Sequence, residues 1–127
     1  GIVVREDTPV ASKTFADGQT ISSLRVILPR RAIVRSEIKT WFSDLVKDEN
    51  VVMYHNLPSL SLHFIDSGIG DALLCVEGAY SIRPSSGLRF VPLAPERLAR
   101  HKFVRRKNHR LSKAGEIFWS QLRNSDR

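Results

Sequence analysis

The segment Leu24–Phe42, LRVILPRRAIVRSEIKTWF, decides how the rest of the chain is read. An apolar run from Leu24 to Leu28 stops at Pro29, whose ring cannot continue a ladder or a helix. Arg30 and Arg31 follow, and then apolar residues recur at Val34, Ile38, Trp41, Phe42 and Leu45. That spacing predicts an amphipathic helix over Val34–Val46. A buried strand that feeds a helix through a short arginine-bearing turn is a unit of open α/β sheets. Ligands in such sheets sit beyond the carboxyl ends of the strands, near helix N-termini.

The same alternation continues outward. Gly1–Arg5 reads as a strand and Pro9–Ser23 as a connector with five Ser/Thr. Val51–Tyr54 is a short β-branched strand. Asn56-Leu57-Pro58 opens a second helix, with Asn56 placed to cap it and Pro58 tolerated in its first turn. Leu57, Leu60, Ser61, Phe64 and Ile65 form one face of that helix, and Gly68 is suited to a left-handed C-cap. Gly70 allows a close approach into the apolar segment Ala72–Val76, and residues 78–87 read as loop. Leu88–Leu93 is a fourth strand stopped by Pro95, and His101–Lys107 reads as a further one. Ser112 is placed to cap a last helix whose apolar face is Ala114, Ile117, Phe118 and Leu122. Strands alternating with helices predict an α/β fold of three layers, a mostly parallel sheet flanked by helices.

Composition sets limits. The chain has 127 residues, enough for one modest core. No apolar run approaches the ~18–20 residues that cross a bilayer, and Arg5, Glu6 and Asp7 after a very short apolar start do not read as a secretory signal. The lone Cys75 excludes an internal disulfide and suits a reducing, cytoplasmic setting. The net charge of +7 is local: residues 1–96 sum to −1 and residues 97–127 to +8. That basic tract reads either as a solvated surface or as a contact for phosphate or an acidic partner. Its aromatics, Phe103, Phe118 and Trp119, sit where core residues would, not as a base-stacking platform. His55, His63, His101 and His109 have no metal-ligand spacing, and Asp66 and Asp71 have no nucleophile or partner acid beside them in sequence. Neither a metal, a cofactor nor a catalytic residue is therefore expected.

Several segments resemble the effector-binding domain of LysR-type transcriptional regulators. Glu6-Asp7-Thr8-Pro9-Val10-Ala11 is similar to their acidic/His-Pro-Leu-Ala signature, and LRVILPRR to the strand that begins their second subdomain. Phe64–Leu74, FIDSGIGDALL, resembles their Val-x-x-Gly-x-Gly-x-Ala-Leu segment. Leu88–Leu93 resembles the strand returning to the first subdomain, and Leu111-Ser112-Lys113-Ala114 their Leu-Ser-Pro-Ala helix opening, with Lys113 in place of proline. The motifs are individually weak and span nearly the whole chain in order.

The resemblance implies two periplasmic-binding-protein-like (type 2) subdomains and a non-catalytic, effector-sensing role in the cytoplasm. Residues 1–13 would end subdomain I, 14–87 would form subdomain II, and 88–127 would return to subdomain I. The implied partners are a small effector, self-association as a homodimer or homotetramer, and DNA only through an N-terminal winged helix-turn-helix outside this sequence. No membrane partner is implied. Two turns would face the effector cleft: Pro29, Arg30, Arg31 and Ala32 in one, Asn56, Leu57 and Ser59 in the other. Two arginines and two helix N-termini suit an anion. The alternative readings are Arg30 and Arg31 as solvated loop charges, Asn56 as a cap alone, and the whole chain as a free-standing solute-binding module. A nucleic-acid-binding role for the basic tract ranks below these.

Overall fold

The computed structural model describes residues 1–31, 36, 40–42, 46–81, 87–98 and 102–125. Five strands form one sheet: β1 (Ile2–Arg5), β2 (Val26–Pro29), β3 (Val51–His55), β4 (Ala72–Leu74) and β5 (Leu88–Val91), in the order β3-β2-β4-β1-β5. Strand β2 pairs in parallel with both β3 and β4, whereas β1 pairs antiparallel with both β4 and β5. The sheet is therefore mixed, with half its pairings antiparallel where a mostly parallel one was expected. The reversal belongs to β1 alone, since the other four strands run the same way. Residues from each of the segments 1–13, 14–87 and 88–127 contribute strands to this one sheet.

Both faces of the sheet are covered, which is why β2 and β4 are apolar without interruption. Ile2, Val4, Val26, Leu28, Ala72, Leu74 and Val91 face one side and pack with Ala11, Ala16, Ile21 and Phe42. Val3, Ile27, Leu73 and Leu88 face the other and pack with Leu62, Ile65 and Cys75. The helices are α1 (Gly18–Ser22), α2 (Pro58–Asp66), α3 (Glu77–Ser81) and α4 (Lys113–Ser125), and 3-10 turns span Pro9–Ser12 and Asp48–Asn50. Of the helix expected over Val34–Val46, Ser36 and Thr40, Trp41 and Phe42 are helical, and the Thr40 hydroxyl donates to the Ser36 carbonyl at 3.0 Å. The other positions of its first nine residues lie outside the described residues.

Local chemistry accounts for most element ends. Asp17 caps α1, its Oδ1 accepting from the Thr20 N–H at 2.8 Å and the Thr20 hydroxyl at 2.7 Å. Helix α2 ends in a Schellman motif: the Gly68 N–H donates to the Ile65 carbonyl and the Ile69 N–H to the Phe64 carbonyl, both at 3.0 Å, with Gly68 at φ +76°. A Cβ on Gly70 would sit 2.8 Å from Ile27 Cγ1, so the approach of this turn to β2 requires glycine. Ser112 caps α4, accepting from the Gly115 N–H at 3.2 Å.

Further expectations fail. Residues 78–81, read as loop, are helical and form most of α3. Residues 102–106 form no strand, because nothing among the described residues offers them a ladder. Phe103 and Phe118 are not core: they are 65% and 55% exposed and meet edge to face, 6.0 Å between centroids. Arg105 lies 5.3 Å from the Trp119 ring centre and 3.8 Å from Glu116, which ties this segment to α4.

Arg25 fastens the start of β2 to the turn after α2. Its Nη2 donates to Asp71 Oδ1 at 2.8 Å and to the Gly68 carbonyl at 2.9 Å, and its backbone N–H donates to Asp71 Oδ2 at 2.8 Å. Arg25 holds the Asp71 carboxyl below the ordinary carboxylate range. A depressed folded-state pKa stabilises above the unfolded value, about pH 4, and that stability is lost as pH falls through the folded pKa. Asp71→Asn is expected to cost about 1 kcal/mol near neutral pH, a modest figure because the pair is partly in water, and to narrow the gap at about pH 3. Urea unfolding of both proteins at the two pH values measures this; an equal loss at both would contradict it.

Candidate functional site

The carboxyl edge of the parallel strands brings the two expected turns together. Pro29, the last residue of β2, stands in register with His55, the last of β3, and the Arg30 N–H donates to the His55 carbonyl at 2.9 Å. Arg30 and Arg31 continue from β2 as exposed residues with no ion-pair partner among the described residues. Ala32 lies outside the described residues. Beyond the end of the neighbouring strand β3, Asn56, Leu57 and Ser59 are all exposed.

Asn56 does not cap α2. The N-cap is Leu57, 59% exposed, and it makes no side-chain cap bond because its side chain has no acceptor. The displacement by one residue follows from Pro58, which prefers the first helical position and so fixes the cap just before it. Helix α2 thus begins without a side-chain cap at the positive end of its dipole, worth ~0.3–1 kcal/mol to a nearby anion.

His55 was not among the expected site residues, yet it is the group the structure sets apart. It is 7% exposed, and neither ring nitrogen has a hydrogen-bond partner. Burial holds the imidazole below the ordinary histidine range, and the nearby Leu74 backbone, which would hold a proton on the ring, opposes this. The ring is therefore neutral at pH 7.

A bulge puts it there. Val26 pairs with Val51 but Ile27 pairs with Met53, so Val52 is the extra residue. Val51 packs on the first face of the sheet and Met53, two residues on, packs on the second, the face that carries α2. Alternation from Met53 then directs His55 to the α2 face as well. The unbulged strand would turn it away. No feature of VVMYH marks the bulge, so sequence reading had no route to this orientation.

Pro29 adds to the effect. The parallel register of β2 with β4 runs through Ile27–Leu73, and its continuation would require the N–H of residue 29 to serve the Leu74 carbonyl. Proline has none. The last turn of the ladder is thus open beside the imidazole. Cys75, next along β4, is buried on the same face.

Elsewhere, a shallow groove lined by Glu6, Glu77, Tyr80, Arg89, Phe90 and Pro92 runs along β5. Its phenol is already used, the Tyr80 hydroxyl donating to the Leu88 carbonyl at 2.6 Å. Among the described residues no three His, Cys, Asp or Glu gather as metal ligands, and no helix is long and apolar enough to cross a membrane.

The architecture is that of a mixed α/β domain with a five-stranded sheet flanked by helices. In fold it is similar to a solved structure of HinK, a LysR family transcriptional regulator from Pseudomonas aeruginosa, with a TM-score of 0.68 and 18% sequence identity. The likeness covers 98% of this chain, which spans 43% of the length of that one. No protein-family model matches the sequence, and no curated protein matches it.

Burial pushes the Cys75 thiol up to about 11. Alkylation by iodoacetamide near pH 8 should therefore be at least ~10-fold slower in the folded protein than in urea. Equal rates would show that the β4 end of this edge is open to solvent.

Proposed function

We propose that the chain is the larger part of the effector-sensing domain of a LysR-type transcriptional regulator, with periplasmic-binding-protein-like (type 2) topology and no catalytic role. The observation that carries this reading is the fold likeness to such a regulator across 98% of the chain. The order of weak sequence motifs supports it independently. The effector binds at the carboxyl edge of β2 and β3, where Pro29, Arg30 and Arg31 follow one strand and Asn56, Leu57 and Ser59 the other; Ala32, outside the described residues, belongs to the same proposed set. An anion suits two guanidinium groups that have no ion-pair partner among the described residues and a helix without a side-chain cap.

The mechanism is a population shift. An effector held between this lobe and a second one favours one relative orientation, and the assembled regulator passes that to its DNA-binding modules. Gly1 and Cys75 exchange backbone bonds and Ile2 pairs with Val91, so the start of β1 and the end of β5 lie at the same edge as the proposed site. The exposed apolar side chains Phe103, Ile117 and Phe118 are covered by the same lobe in the whole protein, which acts as a homodimer or homotetramer in the cytoplasm.

Thermal-shift measurements on the full-length protein, across small carboxylic and phosphorylated metabolites, test the reading. At least one acid should raise the melting temperature, and Arg30→Ala or Arg31→Ala should weaken its binding about ten-fold, the worth of one charge-assisted hydrogen bond. A panel without response, or a response indifferent to both variants, would contradict it.

A further inference from the structure

We infer that the basic turn leading into α4 is a docking surface for the phosphate backbone of duplex DNA, through Arg106, Lys107, Arg110 and Lys113. The choice of DNA among polyanions rests on the regulator reading; the cationic surface itself does not. Residues 102–115 hold six Lys/Arg and no Asp/Glu. All six cations are exposed. Residues 102–106 run beside α4, held by the Phe103–Phe118 edge contact and by Arg105 against Trp119 and Glu116. The chain then turns, the His109 N–H donating to the Arg106 carbonyl at 3.3 Å, and α4 starts at Lys113. Arg106, Lys107, Arg110 and Lys113 are thereby gathered on one turn and the first residue of the helix.

Elsewhere the chain balances its charge. Residues 1–96 sum to −1, and Arg5, Arg25 and Lys47 meet Asp7, Asp71 and Glu49 at 2.7, 2.8 and 3.7 Å. In the tract Arg105 alone is paired, and the other five cations have no ion-pair partner among the described residues. Like charges held together repel, so the cluster carries a cost that an anionic surface removes. The positive end of the α4 dipole adds to the potential at the same place. Four cations on one turn exceed what one small anion can meet, so the partner is a polyanion. Duplex DNA carries one negative charge per ~1.7 Å of its axis, a density that suits such a cluster. A single strand would need free aromatic platforms, and the rings here are engaged with each other or with Arg105. Phosphate contacts carry no sequence information, so the tract adds affinity and orientation to a complex whose sequence is read elsewhere.

The test measures binding of the full-length protein to a pair of duplexes of unrelated sequence across ~50–200 mM salt. Arg106→Gln, Lys107→Gln, Arg110→Gln and Lys113→Gln combined should lower the slope of log affinity against log salt by about two to four, at ~0.9 per phosphate neutralised. The change should be equal on both duplexes. Arg106→Lys with Arg110→Lys should retain the parent slope, because charge and not the guanidinium fork makes the contact. The combined variant should melt no lower than the parent, since it removes exposed like charges without breaking an ion pair. Should it fail to fold, Lys107→Gln with Arg110→Gln carries the test, with a slope lower by about one to two. A slope unaltered by both sets, or a parent that does not bind duplex at ~50 mM salt, overturns the inference. So does a loss seen only with polyglutamate or with phosphatidylglycerol vesicles, which would assign the tract to an acidic protein or a membrane surface instead. The regulator reading is judged separately, by the metabolite panel with the Arg30 and Arg31 variants, whose thermal shifts the tract variants should leave unaltered.

Discussion

Strand β1 is the constraint on which the rest depends. It lies between β4 and β5, hydrogen-bonded to both and antiparallel to both, with Ile2, Val3 and Val4 fully buried on alternate faces. Because β1 alone is reversed, its beginning lies at the edge where β2, β3 and β4 end. The exit of β5 lies there too, since Ile2 pairs with Val91. Removing β1 would separate β5 from the sheet and open both apolar clusters, as it contributes to each. The chain's connections and the candidate site share an edge for this one topological reason.

At that edge, small departures from ideal geometry determine the chemistry. A regular β3 would present His55 to the opposite face, and a residue with an N–H in place of Pro29 would extend the ladder toward Leu74. A side-chain cap on α2 would occupy an N–H group at its start. Each departure costs some stability, and all three lie within a few residues of the Pro29–His55 pair. Clustering of this kind is expected where a fold trades local consistency for a binding function. The Arg25–Asp71 clamp at the far end of β2 and the close Gly70–Ile27 approach tie the opposite edge to the turn after α2.

The legible parts of the chain are those set by short-range chemistry. Gly68, Gly70 and Ser112 announce a left-handed cap, a close approach and an N-cap, and each does what its residue type suggests. Apolar runs located all five strands of the sheet to within a few residues. The direction of β1 was not legible, because IVVR pairs equally well either way and only the tertiary path decides. Asn56 is a better intrinsic cap than Leu57, but Pro58 overrides it through the backbone. Helix α1 hid in a connector whose only sign was Asp17 three residues before Thr20. The alternation around Phe103 and Val104 suggested a strand, but a strand needs a neighbour, and none of the described residues supplies one. Of the site, the two turns were visible in PRR and NLP. The orientation of His55 was not, because it follows from an unmarked bulge.

The central claim is that the carboxyl edge of β2 and β3 holds a small effector. Hydrogen–deuterium exchange of the full-length protein, with and without an acid that raises its melting temperature, locates that contact directly. The account predicts slowed exchange at the amides of Arg30 and Arg31 and at residues 57, 59 and 60, with little change around Arg25 and Asp71. Protection confined to the β5 groove or to α4, with those amides unaltered, would contradict it.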